Sequence, residues 1–359
     1  MFYPTEKKTI FAGVAIPNAG ITVYSNIFPL DGMGWTKIRL ILHGIATGAG
    51  GAADPYTDGL YRWIKGVTVR TSRGEVLVNN VPGMALYRLN SYLNHSAPYH
   101  DPLPVHGAGL VEAFCAVLDI PFCFPFLKRP EDTIFASGRY SNLELQISTG
   151  VVGDLYTTPG NTALAVTVDM EIESTLSAVV QDGAGGPYAL PYIATYPNIL
   201  TAVRTNWDLE SSLDLGLFGF YIYNHPQVGA GALVQIPFCA PGTVIAAARA
   251  GAAANNWDTI TNITFRDTVR TWMNNVVFQS FQETRTDLLP YNQYQVTVAP
   301  IAPTWEIGMY PHLFVQKGSI NEVYPTGKKS TINLSFANTA IAIATDEADL
   351  CTFGMRALR

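Results

Sequence analysis

Residues 163–173, Ala-Leu-Ala-Val-Thr-Val-Asp-Met-Glu-Ile-Glu, alternate along their length: Leu164, Val166, Val168, Met170 and Ile172 fall on one side, Thr167, Asp169, Glu171 and Glu173 on the other. A period of two marks a β-strand with one face in a core and one face turned outward. The same period runs through Val67 and Val69, Leu143, Leu145 and Ile147, Ile263 and Phe265, and Ile332, Leu334 and Phe336. Between these runs the chain is punctuated by 31 glycines and 23 prolines, which close strands at short intervals. The pattern predicts an all-β protein, a sandwich or a barrel. Two stretches depart from it. Residues 82–93 and 241–254 read as short helices between strands, each with a proline near its start, where a missing N–H costs nothing.

Residues 181–198, Gln-Asp-Gly-Ala-Gly-Gly-Pro-Tyr-Ala-Leu-Pro-Tyr-Ile-Ala-Thr-Tyr-Pro-Asn, read as a linker near the midpoint, dividing the chain into domains 1–180 and 199–359. Three patterns recur across it in the same order, as an internal duplication requires. Ile21–Asn26 resembles Thr201–Asn206; Trp63–Arg70 resembles Trp257–Arg266; Asn142–Ile147 resembles Thr331–Phe336. The pair Ile120-Pro-Phe-Cys123 and Ile236-Pro-Phe-Cys239 breaks this register and is read as coincidence.

Charge changes the picture. Only 14% of the residues are charged against 48% hydrophobic, where an ordinary soluble domain carries about 25% charge. Surface so poor in charge points to an assembly protein whose faces meet other protein. The net charge of -6, with Lys and Arg clustered no further than Lys7-Lys8, Lys128-Arg129 and Lys328-Lys329, argues against direct nucleic-acid binding. Residues 1–10 lack a secretory signal pattern, and the apolar stretches 113–127 and 231–254 are broken by Asp119, Arg249 and prolines, so a soluble product made in the cytoplasm is expected.

Candidate chemistry is sparse. His95, His100, Asp101 and His106 offer metal-ligand types, but their spacing in a proline-broken loop puts no pair on one helix face or one strand side. There is no His-x-His, as a cupin site would need, no Cys-x-x-Cys and no Gly-x-Ser-x-Gly. Cys115, Cys123, Cys239 and Cys351 read as reduced, largely buried thiols. Glu171/Glu173 and Asp346-Glu347 read as solvated faces, and Gly48-Ala-Gly-Gly51 as a loop without the lysine of a phosphate cradle. The triplets at Asn94, Asn262 and Asn333 match the glycosylation pattern without a signal peptide to give it weight. No catalytic residue, cofactor site or metal site is assigned, and no enzymatic activity is expected.

Two β halves, loops rich in Gly and Pro, little charge and no active-site pattern together resemble the major capsid proteins of tailless icosahedral viruses with double jelly-roll coats, including internal-membrane bacteriophages and the adenovirus hexon. The stretch carrying most of the likeness is Trp63-Ile-Lys-Gly-Val-Thr-Val-Arg-Thr-Ser-Arg-Gly-Glu-Val-Leu-Val-Asn-Asn-Val-Pro-Gly, a strand, turn, strand and Pro-Gly helix entry. The resemblance implies two tandem eight-stranded jelly rolls with short interstrand helices, residing in the virion. It also implies homotrimeric, pseudo-hexagonal capsomers that pack against neighbouring capsomers, with minor capsid and penton proteins and an internal membrane as further family partners. One departure is that residues 1–10 are too short for the basic amphipathic helix some members lay on the membrane. The contrasting reading is a carbohydrate-binding or carbohydrate-cleaving β-sandwich, with some of the 18 Tyr and 6 Trp as sugar-stacking platforms.

Overall fold

The structure is a computed structural model; it describes residues 5–24, 33–48, 59–94, 98–101, 103, 109–156, 162–175, 189–196, 206–209, 212, 214–224, 260–267, 271–277, 309–315, 317–326, 330–336 and 348–357. In chain order the elements are β1 (Thr5–Ile16), β2 (Ile21–Tyr24), β3 (Gly34–Gly48), α1 (Gly59–Trp63), β4 (Ile64–Thr71), β5 (Val76–Val81), α2 (Gly83–Asn94), β6 (Val111–Pro121), β7 (Phe135–Ala136), β8 (Leu143–Thr149) and β9 (Thr162–Thr175). There follow β10 (Ala189–Tyr196), β11 (Asn206–Asp208), β12 (Leu215–Asn224), β13 (Ile260–Asp267), β14 (Thr271–Val277), β15 (Met309–Leu313), β16 (Tyr324–Pro325), β17 (Ser330–Phe336) and β18 (Ala348–Ala357). The chain divides into two compact units: unit 1 holds residues 1–195, 317–321 and 353–359, and unit 2 the rest.

Unit 1 is a sandwich of two sheets. One runs β1-β9-β3-β6 with β7 on β3; the other runs β10-β5-β4-β8-β2. Leaving out the two-residue β7 and the parallel addition β10, the pairing is nested: β1 with β9, β2 with β8, β3 with β6 and β4 with β5, all antiparallel. That nesting of first with last is a hairpin rolled up into a jelly roll, in which the sheets share the strands alternately. The alternation predicted for 163–173 holds over those residues of β9, where Leu164, Val166, Val168, Met170 and Ile172 are buried. They meet Leu40 and Leu42 of β3 and Leu118 and Ile120 of β6 on the same inner face. Val67 and Val69 of β4 and Leu143, Leu145 and Ile147 of β8 supply buried residues from the second sheet. Helix α2 falls on the predicted stretch 82–93; Leu86 N–H closes its first turn on Pro82 O at 3.1 Å. All its residues from Gly83 to Leu93 are buried, and Asn90 Nδ2 donates to Asp119 O of β6 at 2.6 Å.

Unit 2 repeats the scheme. Its sheet β11-β17-β13-β14 has the order of β2-β8-β4-β5 in unit 1. Val69 pairs with Leu145 and Val67 with Ile147; Phe265 pairs with Ile332 and Ile263 with Leu334. The likeness of Trp63–Arg70 to Trp257–Arg266 therefore lands on equivalent strands, although Trp257 itself lies outside the described residues. The likeness of Asn142–Ile147 to Thr331–Phe336 also joins equivalent strands, slipped by two residues, a shift that preserves a period of two. Strand β16 pairs with β12 beside β15 just as β7 pairs with β3 beside β6. The helix read at 241–254 lies outside the described residues. The stretch read as a linker is corrected in part: 189–196 form β10, whose Ile193 and Ala194 pair in parallel with Val78 and Asn79. Its run of buried Leu190, Tyr192 and Ile193 is what a strand enclosed on both faces needs, and it outweighs the turn signal of Pro191.

Candidate assembly face

The outward face of the β1-β9-β3-β6 sheet is assembled from the odd-numbered residues of β3 from Lys37 to Thr47 with their cross-strand partners, and its two ends differ in chemistry. At one end Lys37 stands opposite Glu173, and Arg39 between Glu171 and Asp119. Asp119 accepts from Arg39 Nε at 2.8 Å and from Arg39 Nη2 at 2.9 Å. Lys37 Nζ lies 3.3 Å from both Asp119 Oδ2 and Glu173 Oε2. The hydrogen bond to Asp119, reinforced by the Glu173 and Glu171 charges, holds the Arg39 guanidinium protonated more firmly than usual despite partial burial. Lys7 of β1, in register with Glu173, extends the ladder to the sheet edge. One strand-pair further, Asp169 accepts the Gly13 N–H at 2.6 Å and lies 3.0 Å from His43 Nε2. Gly13 has φ +67, a backbone state open to glycine at little cost, and marks where β1 bulges away from β9.

Beyond His43 the described strand residues of this face carry no charge. Thr167, Ala165 and Ala163 of β9, Ile45 and Thr47 of β3, and Cys115, Ala113 and Val111 of β6 follow one another across the sheet. Ile45 is 48% exposed and Val111 64%. Small side chains with two exposed aliphatic ones make an uncharged patch, a composition found where protein surfaces meet.

The residues weighed as metal ligands do other work. His100 bridges to Ala116 of β6, and its ring packs edge-on against Tyr61 and Tyr87 at 5.8 and 5.9 Å. Asp101 accepts the Cys115 N–H at 2.9 Å and the Tyr99 hydroxyl at 2.7 Å, clipping the segment 99–101 onto the edge of β6. His95 and His106 lie outside the described residues, and among the described residues no three His, Cys, Asp or Glu come together as a metal site would require. Burial pushes the Cys123 thiol up to about 12 and, with the Asp101 and Asp169 charges, raises that of Cys115, so neither is poised as a nucleophile. Cys351 is buried; Cys239 lies outside the described residues. Glu171 and Glu173, read as solvated, are half-buried in the ladder instead, since β3 brings Arg39 and Lys37 opposite them. Asp346, Glu347 and residues 49–51 lie outside the described residues. Asp119 broke an apolar run in the sequence; its reason is Arg39, and pairing the polar sides of 37–39 and 169–173 with it was the available signal.

Taken together, the nested pairing in unit 1 and its recurrence in unit 2 define an all-β protein of two jelly rolls in tandem. Solved structures share that fold over nearly the whole chain. A chain of the atomic structure of Sulfolobus Turreted Icosahedral Virus matches at TM-score 0.64 and 14% identity, covering 99% of this chain and 91% of that one. The STIV MCP matches at TM-score 0.63 and 13% identity, covering 98% and 97%. The major capsid protein P2 from Bacteriophage PM2 matches at TM-score 0.53 and 10% identity, covering 99% and 98%. No known protein family matches the sequence, and no curated protein does. Among the described residues no helix is long and apolar enough to cross a membrane.

Proposed function

We propose that this protein is a major capsid protein, a structural building block that associates with copies of itself into the shell of an icosahedral virion. The observation that carries the reading is the tandem jelly roll itself, its strand order repeated in the second half and shared end to end with viral coat proteins at TM-scores above 0.5. In this reading residues 1–180 and 199–359 are the two jelly-roll domains of one subunit, and a homotrimer of such pairs gives the pseudo-hexagonal outline that tiles a shell. The uncharged end around Ile45 and Val111 suits a lateral contact with a second copy, and a role as coat explains why a chain of this length carries so little charge. Minor capsid and penton proteins, and an internal membrane, are further partners of such a coat, with no direct contact to nucleic acid. Among the described residues the carbohydrate reading finds few platforms: Trp35, Trp63, Tyr61, Tyr87, Tyr156 and Tyr192 are all in the core, none more than 2% exposed, and Tyr99, at 64%, is the aromatic ring that stands largely in solvent. Light scattering on the purified protein tests the proposal. A particle of three times 39.0 kDa, or a larger assembly, is expected; a monomer that persists at high concentration would remove it.

A further inference from the structure

The segment between β6 and β7, Pro121-Phe-Cys-Phe-Pro-Phe-Leu-Lys128, places three phenylalanines within a few residues on an irregular stretch of unit 1. Phe122 is absorbed locally, against Phe135 at 5.5 Å. Phe124 and Phe126 turn elsewhere. They pack against Phe353, with ring centroids 6.1 and 6.0 Å away, and Tyr92 from α2 closes the group at 6.5 Å from Phe353. Phe353 and Phe124 are both fully buried. A second late segment meets the same loop: Lys128 N–H donates to Gly318 O at 2.9 Å. Gly318 has φ +73, and a Cβ there would sit 3.0 Å from Phe126 O and 3.1 Å from Lys128 N, so the close approach requires glycine. Further along, the Arg356 guanidinium lies 4.7 Å above the Tyr192 ring of β10. Gly318 and Phe353, from two late stretches of the chain, thus converge on one early loop within the same unit, while Arg356 docks on β10.

We infer that this convergence is a completion device: unit 1 closes its aromatic slot at Tyr92, Phe124 and Phe126 only when residues 317–321 and 353–357 have been made and have docked. The physical reason is that contacts between residues so far apart in sequence are reached last, because the loop entropy must be lost before they return any burial. Until then the rings of Tyr92 and Phe124 stay uncovered, and a chain stopped short of Phe353 carries an open slot where the full chain has Phe353 seated beside them and beside the half-buried Phe126. The device acts during folding, whether or not the protein forms a shell.

Pulse-labelling hydrogen exchange during refolding of the full chain tests it, with protection followed peptide by peptide. The Phe122 and Cys123 amides donate to Thr36 O of β3 and are expected to be protected with that strand. Amides of 124–128 are expected to gain protection together with those of 351–357, after the β3 and β9 strands. In the native protein, Phe353→Ala is expected to speed exchange across 124–128 by about 100-fold, the effect of an emptied aromatic site on local opening. Phe220→Ala, which empties an equally buried position of unit 2, is expected to leave 124–128 unchanged. If Phe353→Ala does not fold, Gly318→Ala, which crowds the Phe126 carbonyl without emptying the core, is expected to slow the same late phase. Protection of 124–128 that precedes 351–357, or exchange and refolding of that loop unaffected in the variants, would overturn the inference and leave Phe353 as a latch added to a unit already closed.

Discussion

Replacing Asp119 by alanine removes the anion that sits between two cations on the outward face of unit 1. Asp119 is only 8% exposed. Its carboxylate accepts two hydrogen bonds from Arg39 at 2.8 and 2.9 Å and faces Lys37 Nζ at 3.3 Å. The side chains of Lys37 and Arg39 are 24% and 25% exposed, so the group is neither a surface pair nor a dry one. Exposed pairs contribute about 0–1 kcal/mol, and breaking a fully buried pair costs about 3–5 kcal/mol. A bidentate pair of intermediate enclosure falls between them, and Asp119→Ala is expected to cost about 2 kcal/mol. Urea unfolding followed by the fluorescence of the buried Trp35 and Trp63 reads this as a midpoint lowered by about 1 M. A double-mutant cycle with Arg39→Met isolates the pair, with an expected coupling of about 1–1.5 kcal/mol that persists in roughly 1 M salt. Coupling below about 0.3 kcal/mol, or coupling abolished by salt, would refute the reasoning and place the ladder among ordinary surface charges.

Three further outcomes are expected. Gly44→Val in β3 puts a side chain where the Phe114 ring of its cross-strand partner lies over the glycine, and is expected to destabilise unit 1 by about 1–3 kcal/mol by thermal melting. Stability is expected to fall as pH rises from about 9 toward 12, because burial raises the Cys123 thiol and the Tyr140 and Tyr156 hydroxyls to about 12. A raised acid keeps its proton in the folded state while the unfolded chain loses it, so the stabilisation is complete below the ordinary values and is lost through the raised ones; flat denaturation midpoints across that window would contradict it. Ile45→Lys combined with Val111→Glu is expected to change stability by no more than about 0.5 kcal/mol, since both positions are exposed, yet to weaken self-association in light scattering.

Much of this was legible in the alternation. Strand β9 could be placed face by face from 163–173 because period two survives any tertiary context that keeps one side wet, and the repeat was found because β4 and β13 keep both their pattern and their pairing to β8 and β17. Strand β10 was hidden for the opposite reason: buried on both faces it does not alternate, and Pro191 imitated a turn. The likeness of Ile21–Asn26 to Thr201–Asn206 is out of step with the fold, where Tyr24 opposite Leu145 and Trp207 opposite Ile332 hold the matching places. Short edge strands carry too few residues to fix their own register. The ladder of Lys37, Arg39, Asp119 and Glu173 needed strand pairing as well as strand identity, and pairing is set by distant partners.

The division of one sheet face into a charged end and an uncharged end bears on how copies of this chain can meet. Lys37, Arg39 and Lys7 are balanced within the sheet by Glu173, Glu171 and Asp119, so the charged end satisfies its charge on its own strands and presents little net field to a neighbour. Like copies brought side by side therefore meet without the mutual repulsion that an unbalanced cluster would impose. Orientation must then come from shape and from the apolar rows beyond His43, where alanine and threonine leave room for close approach and Ile45 and Val111 stand proud. A face built this way offers little steering by long-range charge, and contact made through it should change little between low and physiological salt.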